Sequence, residues 1–276
     1  MVRAAIWRAV LRGELSCVYQ PVVELASGAP VGAEALVRWR RRDDVVLMPE
    51  DFVPVAEAHG AIRALGRFVL ERACEEAASW PTVGDRPVGV WVNVSPCQLE
   101  DGRLVHDVGR ALLRSGLDAS RLVLELTESA PLVDLAGAAG QLAALRGAGV
   151  HVALDDLGSG YSSLDRLVRL PADTVKVERS LVAGLCLDDH ARAVVAAVVA
   201  LGEHLGMQVV AEGIETEEQR VALIDLGCPL GQGFHLGRPV EPAVLAELLA
   251  QPPIRPRPAV KVLGDQASSR LPVGRP

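Results

Sequence analysis

Two adjacent carboxylates are the residues of this sequence that most clearly could do chemistry. Asp155 and Asp156 follow the apolar run 150–154 and precede a stretch at 157–164 that is rich in Gly and Ser. Like charges at the end of a buried strand repel each other and lose their hydration, so we expect a bound cation to neutralise them. A turn followed by a helix cap is the alternative interpretation, since Asp, Ser and Gly are all common there.

Further carboxylate and amide side chains fall within or just after other apolar runs. They are Glu34, Asn93, Glu125, Glu128, Glu212, Glu215 and Gln232. One lysine, Lys176, lies within such a run as well. Each has a structural alternative when taken alone, such as a cap for Asn93 or Glu128 and a surface position for Lys176. Seven carboxylates in one place would nevertheless raise one another's pKa values unless cations are bound. Oxygen ligands without His or Cys suit Mg²⁺ or Mn²⁺ rather than zinc. Two such ions about 3.5 to 4 Å apart are the usual arrangement for displacement at phosphorus.

Short apolar runs and longer helical patterns alternate along the chain about eight times. The runs predict strands at 17–23, 31–36, 88–94, 122–126, 150–154, 174–177, 207–210 and 230–234. The helical patterns cover 3–12, 61–80, 104–115, 132–147, 190–205, 217–226 and 240–249. Such alternation predicts parallel strands joined by crossovers, either in an open sheet or in a barrel.

Eight repeats in about 250 residues favour an α/β fold of the TIM-like (β/α)8 barrel type. Only the short segment 24–30 connects the first two runs, which is a hairpin rather than a crossover, so we expect an irregular barrel with an antiparallel first strand. Ligands of parallel barrels bind at the rim formed by the carboxyl ends of the strands. The polar residues named above all fall at that rim.

Composition excludes several classes of protein. The formal net charge of −7 argues against direct DNA binding, which needs a basic face. The five cysteines are dispersed without a C-x-x-C pair, so neither a disulfide framework nor a thiolate zinc site is predicted. There is no signal-peptide pattern, and the longest apolar stretch, 193–202, is too short to span a bilayer. We therefore expect a cytoplasmic protein without a membrane segment.

The composition changes at residue 251. Segment 251–276 holds six prolines and five of the basic residues, and it is predicted to be a disordered tail. The predicted organisation is thus one barrel domain over residues 1–250 and a Pro/Arg-rich tail over 251–276.

Six short motifs resemble, in order, those of the EAL domain of cyclic di-GMP phosphodiesterases. They are Tyr19-Gln20-Pro21, Glu34-Ala35-Leu36, Val92-Asn93-Val94-Ser95, the segment 125–129, the Asp155-Asp156 loop and the segment 211–216. Each motif is weak alone, but their combination in this order is highly specific. The resemblance runs from about residue 4 to residue 250.

The resemblance implies a barrel that hydrolyses one phosphodiester bond of cyclic di-GMP to give the linear dinucleotide 5'-pGpG, with two Mg²⁺ or Mn²⁺ ions. It implies the metal ligands Glu34, Asn93, Glu125, Asp155, Asp156 and Glu212, with Asp155 bridging the two ions. Lys176, Glu212 and Glu34 would be catalytic. Lys176 would position water or stabilise charge, and Glu212 is a candidate general base, although a carboxylate tightly bound to metal is a poor base.

The same resemblance implies contacts with the nucleotide and supports around the metals. Gln20, Arg38 and Gln232 would bind substrate, and the forked donors of Arg38 suit a phosphate. The supports would be Glu128, which steadies the loop after Asp156, together with Glu178 and Glu215. That loop and a neighbouring helix would form a homodimer interface.

Three positions depart from the pattern of the family. Leu157 and Ser159 replace the usual Phe and Thr, and Glu178 stands where Asp is usual. Misplacing an active-site group by about 1 Å can cost ~10²-fold in rate, so Glu178 could slow turnover. The leading hypothesis is an active cyclic di-GMP phosphodiesterase. The alternatives are a weakly active or silent EAL domain that binds cyclic di-GMP or a protein, and a metal-dependent phosphodiesterase for another nucleotide.

Overall fold

The strands close into a ring. The computed structural model describes residues 2–100, 102–127, 134–157 and 167–251, and for 2–5, 156 and 157 only the backbone. Its strands are β1 (Leu15–Glu24), β2 (Pro30–Arg40), β3 (Val46–Leu47), β4 (Gly89–Val94), β5 (Leu122–Leu126), β6 (His151–Leu157), β7 (Thr174–Val177), β8 (Gln208–Ala211) and β9 (Leu230–Gly231). They are hydrogen-bonded in the order β1-β9-β8-β7-β6-β5-β4-β2-β3, and β1 also pairs with β2. Eight strands therefore form a closed barrel, and β3 extends it outside the ring.

The direction of β1 confirms the irregular barrel that the short hairpin predicts. β1 is antiparallel to both of its neighbours, β2 and β9, whereas the pairs from β2 through β4 to β9 are parallel. The α/β barrel of TIM type is thus as expected.

The helices surround this ring. They are Val2–Leu11, Pro49–Ala58, Ile62–Ala78, Pro96–Leu99, Leu104–Ser115, Leu135–Gly147, Arg179–Gly184, Asp189–Leu205, Glu217–Asp225 and Pro242–Ala250, within the described part of the chain. Pro49–Ala58 was not predicted from the sequence, because Pro54 interrupts its pattern. Its start is nevertheless encoded, since Pro49 opens the first turn and Asp51 Oδ2 accepts a hydrogen bond from the Met48 backbone N–H.

The inside of the barrel has two layers, because side chains on a strand alternate between its faces. The lower layer is a separate apolar cluster formed by Val22, Trp91, Val123, Ala153, Val210 and Leu230. Two positions along each of these strands stand Gln20, Asn93, Glu125, Asp155, Glu212 and Gln232. The strand period therefore places one polar side chain above each apolar one, at the rim.

None of the helices in the described ranges is long and apolar enough to cross a membrane. The predicted tail lies outside these ranges from residue 252 onward. Its predicted disorder is not addressed by the structure.

Two loops at the rim approach each other at Gly233. The Ile214 backbone N–H donates to Gln232 O at 3.1 Å, and the His235 N–H donates to Ile214 O at 3.0 Å. A Cβ at Gly233 would overlap the backbone N and O of Ile214. Glycine is required here by a close approach of two backbones that follow β8 and β9.

We expect Gly233→Ala to lower the free energy of unfolding by about 1 to 3 kcal/mol, since a backbone cannot move aside as a flexible side chain can. Urea denaturation without metal or nucleotide measures it. Gly109→Ala is the matched control, because a Cβ there meets nothing within 4 Å and the residue lies in the helix Leu104–Ser115. The control should leave stability unchanged or raise it by up to about 1 kcal/mol. Equal stability of both variants would contradict the close approach.

Candidate active site

The amino group of Lys176 lies where the carboxylates of the rim converge. Its Nζ is 2.8 Å from Glu125 Oε1, 3.7 Å from Asp155 Oδ1 and 3.9 Å from Glu34 Oε2, and it contacts Glu212 Oε1 directly. Lys176 is only 1% exposed. Its interpretation as a surface residue is therefore wrong, and its catalytic role stays a prediction.

The carboxylate of Glu34 is fixed by two amides. Asn93 Nδ2 donates to Glu34 Oε1 at 2.6 Å, and Gln232 Nε2 donates to Glu34 Oε2 at 2.8 Å. Gln232 Nε2 also lies 3.2 Å from Gln20 Oε1, and Gln20 Nε2 donates to Gly237 O at 2.9 Å. Gln20 and Gln232, predicted to bind substrate, thus also hold Glu34 in place.

The buried Glu125 is the observation that best fits a cation-binding site. It is 0% exposed, and its Oε2 has no hydrogen-bond partner among the described residues. A buried carboxylate oxygen without a partner is costly. Its nearest positive group is Lys176, on the side of Oε1.

One ammonium cannot keep all of these carboxylates ionised. Burial raises the pKa of Glu34, but the charge of Lys176 and the hydrogen bonds from Gln232 and Asn93 bring it below the ordinary value. Burial and the charge of Glu34 raise the pKa of Glu125 well above its usual range, and burial raises the pKa of Glu212 to about 7. Burial disfavours charged Lys176, but the surrounding carboxylates hold its pKa well above the ordinary value. The site therefore has a deficit of positive charge.

The donors present fit a hard divalent cation. Carboxylate and amide oxygens are the ligands that Mg²⁺ and Mn²⁺ prefer, and the predicted set includes Glu34, Asn93, Glu125, Asp155 and Glu212. Within the ranges described above, no three Asp, Glu, His or Cys side chains already stand as a metal-binding group. The Lys176 ammonium lies among these oxygens, 2.8 Å from Glu125 Oε1 and in contact with Glu212.

A cavity of about 230 Å³ opens above the cluster, and its lining includes Gln20, Glu34, Asp155, Arg179, Glu212, Glu215, Gln232 and Phe234. Arg179 Nη2 binds Glu215 Oε1 at 2.5 Å at its edge. Gly213 has φ +68° and packs against Arg179, so a Cβ there would overlap the Arg179 side chain. Glu215 thus forms an ion pair with an arginine beside the cavity, and its predicted role as a support stays a prediction.

Sequence reasoning missed Phe234 and Arg179. Phe234 is 47% exposed at the cavity, with the guanidinium carbon of Arg238 4.4 Å from its ring centroid. The chain has only three phenylalanines, and one directly after the polar end of a strand was a usable signal. Arg179 had no such signal, since its position depends on the loop after β8.

Two predicted residues, Arg38 and Glu178, do not line this cavity, and the side chains of two others, Asp156 and Glu128, are outside the described residues. Arg38 lies on β2 and donates to the Val37 carbonyl at 2.9 Å, and it does not line this cavity. Glu178 begins the helix Arg179–Gly184 without a capping hydrogen bond from its side chain, and it is not in the cavity lining either. The backbone of Asp156 is in β6, but its side chain is outside the description. Glu128 and the proposed dimer loop at 158–166 are also outside it, so their roles stay predictions.

Comparison with known proteins decides the family. Residues 3–239 match the family model described as the EAL domain. The chain belongs to the EAL domain family. MucR of Pseudomonas aeruginosa, a bifunctional diguanylate cyclase/cyclic di-GMP phosphodiesterase, is 41% identical to this EAL domain over 233 residues, which are 84% of this chain and 34% of MucR. The cyclic di-GMP phosphodiesterase NbdA of the same organism is 39% identical over 248 residues, 88% of this chain and 32% of NbdA.

Solved structures agree with this assignment. The c-di-GMP complex of the PaMucR phosphodiesterase has a TM-score of 0.81 and 40% identity, over 88% of this chain and 99% of that one. The EAL domain of Mycobacterium smegmatis DcpA has a TM-score of 0.73 and 34% identity, over 88% and 98%. The part of MucR and of NbdA that matches this chain is about a third of the length of each relative. This EAL domain is therefore related to cyclic di-GMP phosphodiesterases, in a family that generally depends on divalent metals.

We expect Gln232→Leu to lower the free energy of unfolding by about 1 to 3 kcal/mol, because Glu34 Oε2 and Gln20 Oε1 lose a buried donor. Urea denaturation in EDTA measures this contribution without any metal. Gln208→Leu is the matched control, since Gln208 is exposed on β8. If both variants unfold at the same urea concentration, the amide does not hold Glu34.

Proposed function

We propose that this EAL domain is a metal-dependent phosphodiesterase that hydrolyses cyclic di-GMP to 5'-pGpG. The observation that carries the proposal is the convergence of Glu34, Glu125, Asp155 and Glu212 on Lys176 at the floor of an open cavity. Four acidic side chains around one ammonium provide more oxygen ligands than that ammonium can satisfy. Hydrolysis by named relatives, MucR and NbdA, supports the choice of substrate.

The metal ligands in this proposal are Glu34, Asn93, Glu125, Asp155, Asp156 and Glu212. Two divalent ions bound there would polarise the phosphate and make water more acidic. Glu34 is held by two amides, so it enters the reaction already oriented. Lys176 and Glu212, in direct contact, are the groups placed to stabilise charge on the phosphate and to take the proton of the attacking water.

The cavity wall suits a nucleotide. Phe234 offers an exposed ring on which a base can stack, and Arg179 brings positive charge to the edge of an otherwise acidic opening. Gln20 and Gln232 present amide groups at the base of the cavity. Arg38 is four residues after Glu34 on β2 and is partly exposed, and it would contact substrate beyond the edge of this cavity. The PaMucR phosphodiesterase in complex with c-di-GMP shares this fold at 40% identity, which supports the ligand.

A second function is favoured by Glu178 alone. With the longer acid at this position, the domain would bind cyclic di-GMP and hydrolyse little. The retention of Glu34, Asn93, Glu125, Asp155 and Glu212 argues for the active enzyme, since a receptor needs no complete set of metal ligands.

We expect the purified chain to convert cyclic di-GMP to 5'-pGpG in the presence of Mn²⁺ or Mg²⁺, and excess EDTA to abolish the reaction. Chromatography of the products with time is the measurement. Glu34→Ala should lose at least ~10²-fold in kcat, because a ligand of the proposed metal is removed. Glu203→Ala is the matched control, because Glu203 is exposed on the helix Asp189–Leu205 and does not line the cavity. Undiminished turnover in EDTA would exclude the metal mechanism, and binding without turnover would favour the receptor.

We expect Glu178→Asp to change kcat by less than about tenfold, since Glu178 begins a helix and does not line the cavity. Steady-state kinetics with saturating Mn²⁺ measures this difference. A gain of ~10²-fold would show that the longer side chain restrains the enzyme, and it would support the receptor as the function of the natural sequence.

A further inference from the structure

Lysine is almost absent from this protein. Of its 28 basic residues only Lys176 and Lys261 are lysines, and the others are arginines. The only lysine among the described residues is therefore the one buried in the acidic cluster. An arginine could not serve in the same way, because its planar fork would hold two oxygens in a fixed geometry, whereas an ammonium is compact and sits on a flexible stem.

The charges of the cluster depend on this one group. Lys176 Nζ contacts Glu212 and lies 2.8 Å from Glu125 and 3.9 Å from Glu34. In the described part of the chain no other Lys, Arg or His lies within 4 Å of these three carboxylates. Without the ammonium they would stand together, buried and without any positive charge, which is strongly unfavourable.

The ammonium and a divalent ion would compete for the same oxygens. An ion bound to Glu34, Glu125 and Glu212 would lie within a few ångströms of Nζ, where two positive charges repel each other strongly. We propose that Lys176 is the counter-ion of the metal-free site and that divalent ions bind by displacing its ammonium from the carboxylates. This inference rests on the proposed metal-dependent function and concerns how the site exists before the metals arrive.

Lysine-labelled protein tests the displacement directly. With ¹³C-lysine the spectrum of the full chain contains side-chain signals from only two residues. Addition of Mg²⁺ without nucleotide should shift the Cε signal of Lys176 saturably, EDTA should reverse the shift, and the signal of Lys261 should stay constant. Saturable Mg²⁺ binding, measured by calorimetry, with no change at Lys176 would overturn the proposal.

Removal of the charge tests the competition. Lys176→Met keeps the length of the side chain, so it should lower the Tm in EDTA and raise the apparent affinity for Mn²⁺ at least about tenfold. The rise in Tm from EDTA to subsaturating Mn²⁺ should then exceed that of the natural chain by about 2 to 4 °C. Lys261→Met is the matched control and should behave as the natural chain. Equal or weaker Mn²⁺ binding by Lys176→Met would contradict the competition.

Neither experiment uses cyclic di-GMP, so the two proposals can fail separately. If the variant does not fold, the lysine spectrum of the natural chain still decides the question. If the natural chain binds no metal, gain of binding in Lys176→Met supports the proposal and its absence overturns it. Displacement in a chain that does not hydrolyse cyclic di-GMP would refute the enzyme while leaving the counter-ion in place.

Discussion

The ion cluster around Lys176 is the interaction on which the other features of this EAL domain depend. Four carboxylates from β2, β5, β6 and the end of β8 reach one buried ammonium on β7. Such a cluster is expensive to desolvate and becomes stable only when opposite charges are close and correctly oriented. The barrel provides this orientation, since each of these strands contributes an inward-facing side chain near its end at the rim.

The apolar layer inside the lower barrel determines where the polar residues lie. Val123, Ala153 and Val210 point inward, and two residues later on the same strands or just after them stand Glu125, Asp155 and Glu212. The apolar layer fills the lower barrel and leaves the polar residues with no route to solvent except the rim. Close backbone packing at Gly233 then fixes the loops after β8 and β9 beside this opening. The apolar side chains that fill the lower barrel and the charged side chains at the rim therefore lie on the same strands, two residues apart.

The proposed site also gives a reason for polar residues inside a barrel of otherwise apolar strands. Glu125, completely buried with an oxygen that lacks a partner, would destabilise a protein selected for stability alone. Glu34, in contrast, is satisfied by Asn93 and Gln232 and is kept ionised. The two buried glutamates thus differ: both oxygens of Glu34 accept hydrogen bonds from amides, whereas Oε2 of Glu125 accepts none from the described residues. This difference follows from the neighbours of each residue and not from its type.

The sequence by itself determined the barrel and the direction of β1, and it named most of the residues that the structure brings together around Lys176. Strand periodicity, the short 24–30 connection and the order of the motifs are local signals, and they are readable because each depends on neighbouring residues in the chain. The helix Pro49–Ala58 was not predicted, because Pro54 interrupts its helical pattern. The helix nevertheless forms and buries Phe52 and Ala56. Only the tertiary structure decided that Lys176 is buried among the carboxylates, that Gln232 orients Glu34 and that Arg179 and Phe234 border the cavity. These contacts join residues up to 198 positions apart in the chain. Closure of the barrel brings such residues together, and a local sequence pattern contains no information about which of them will meet or be buried.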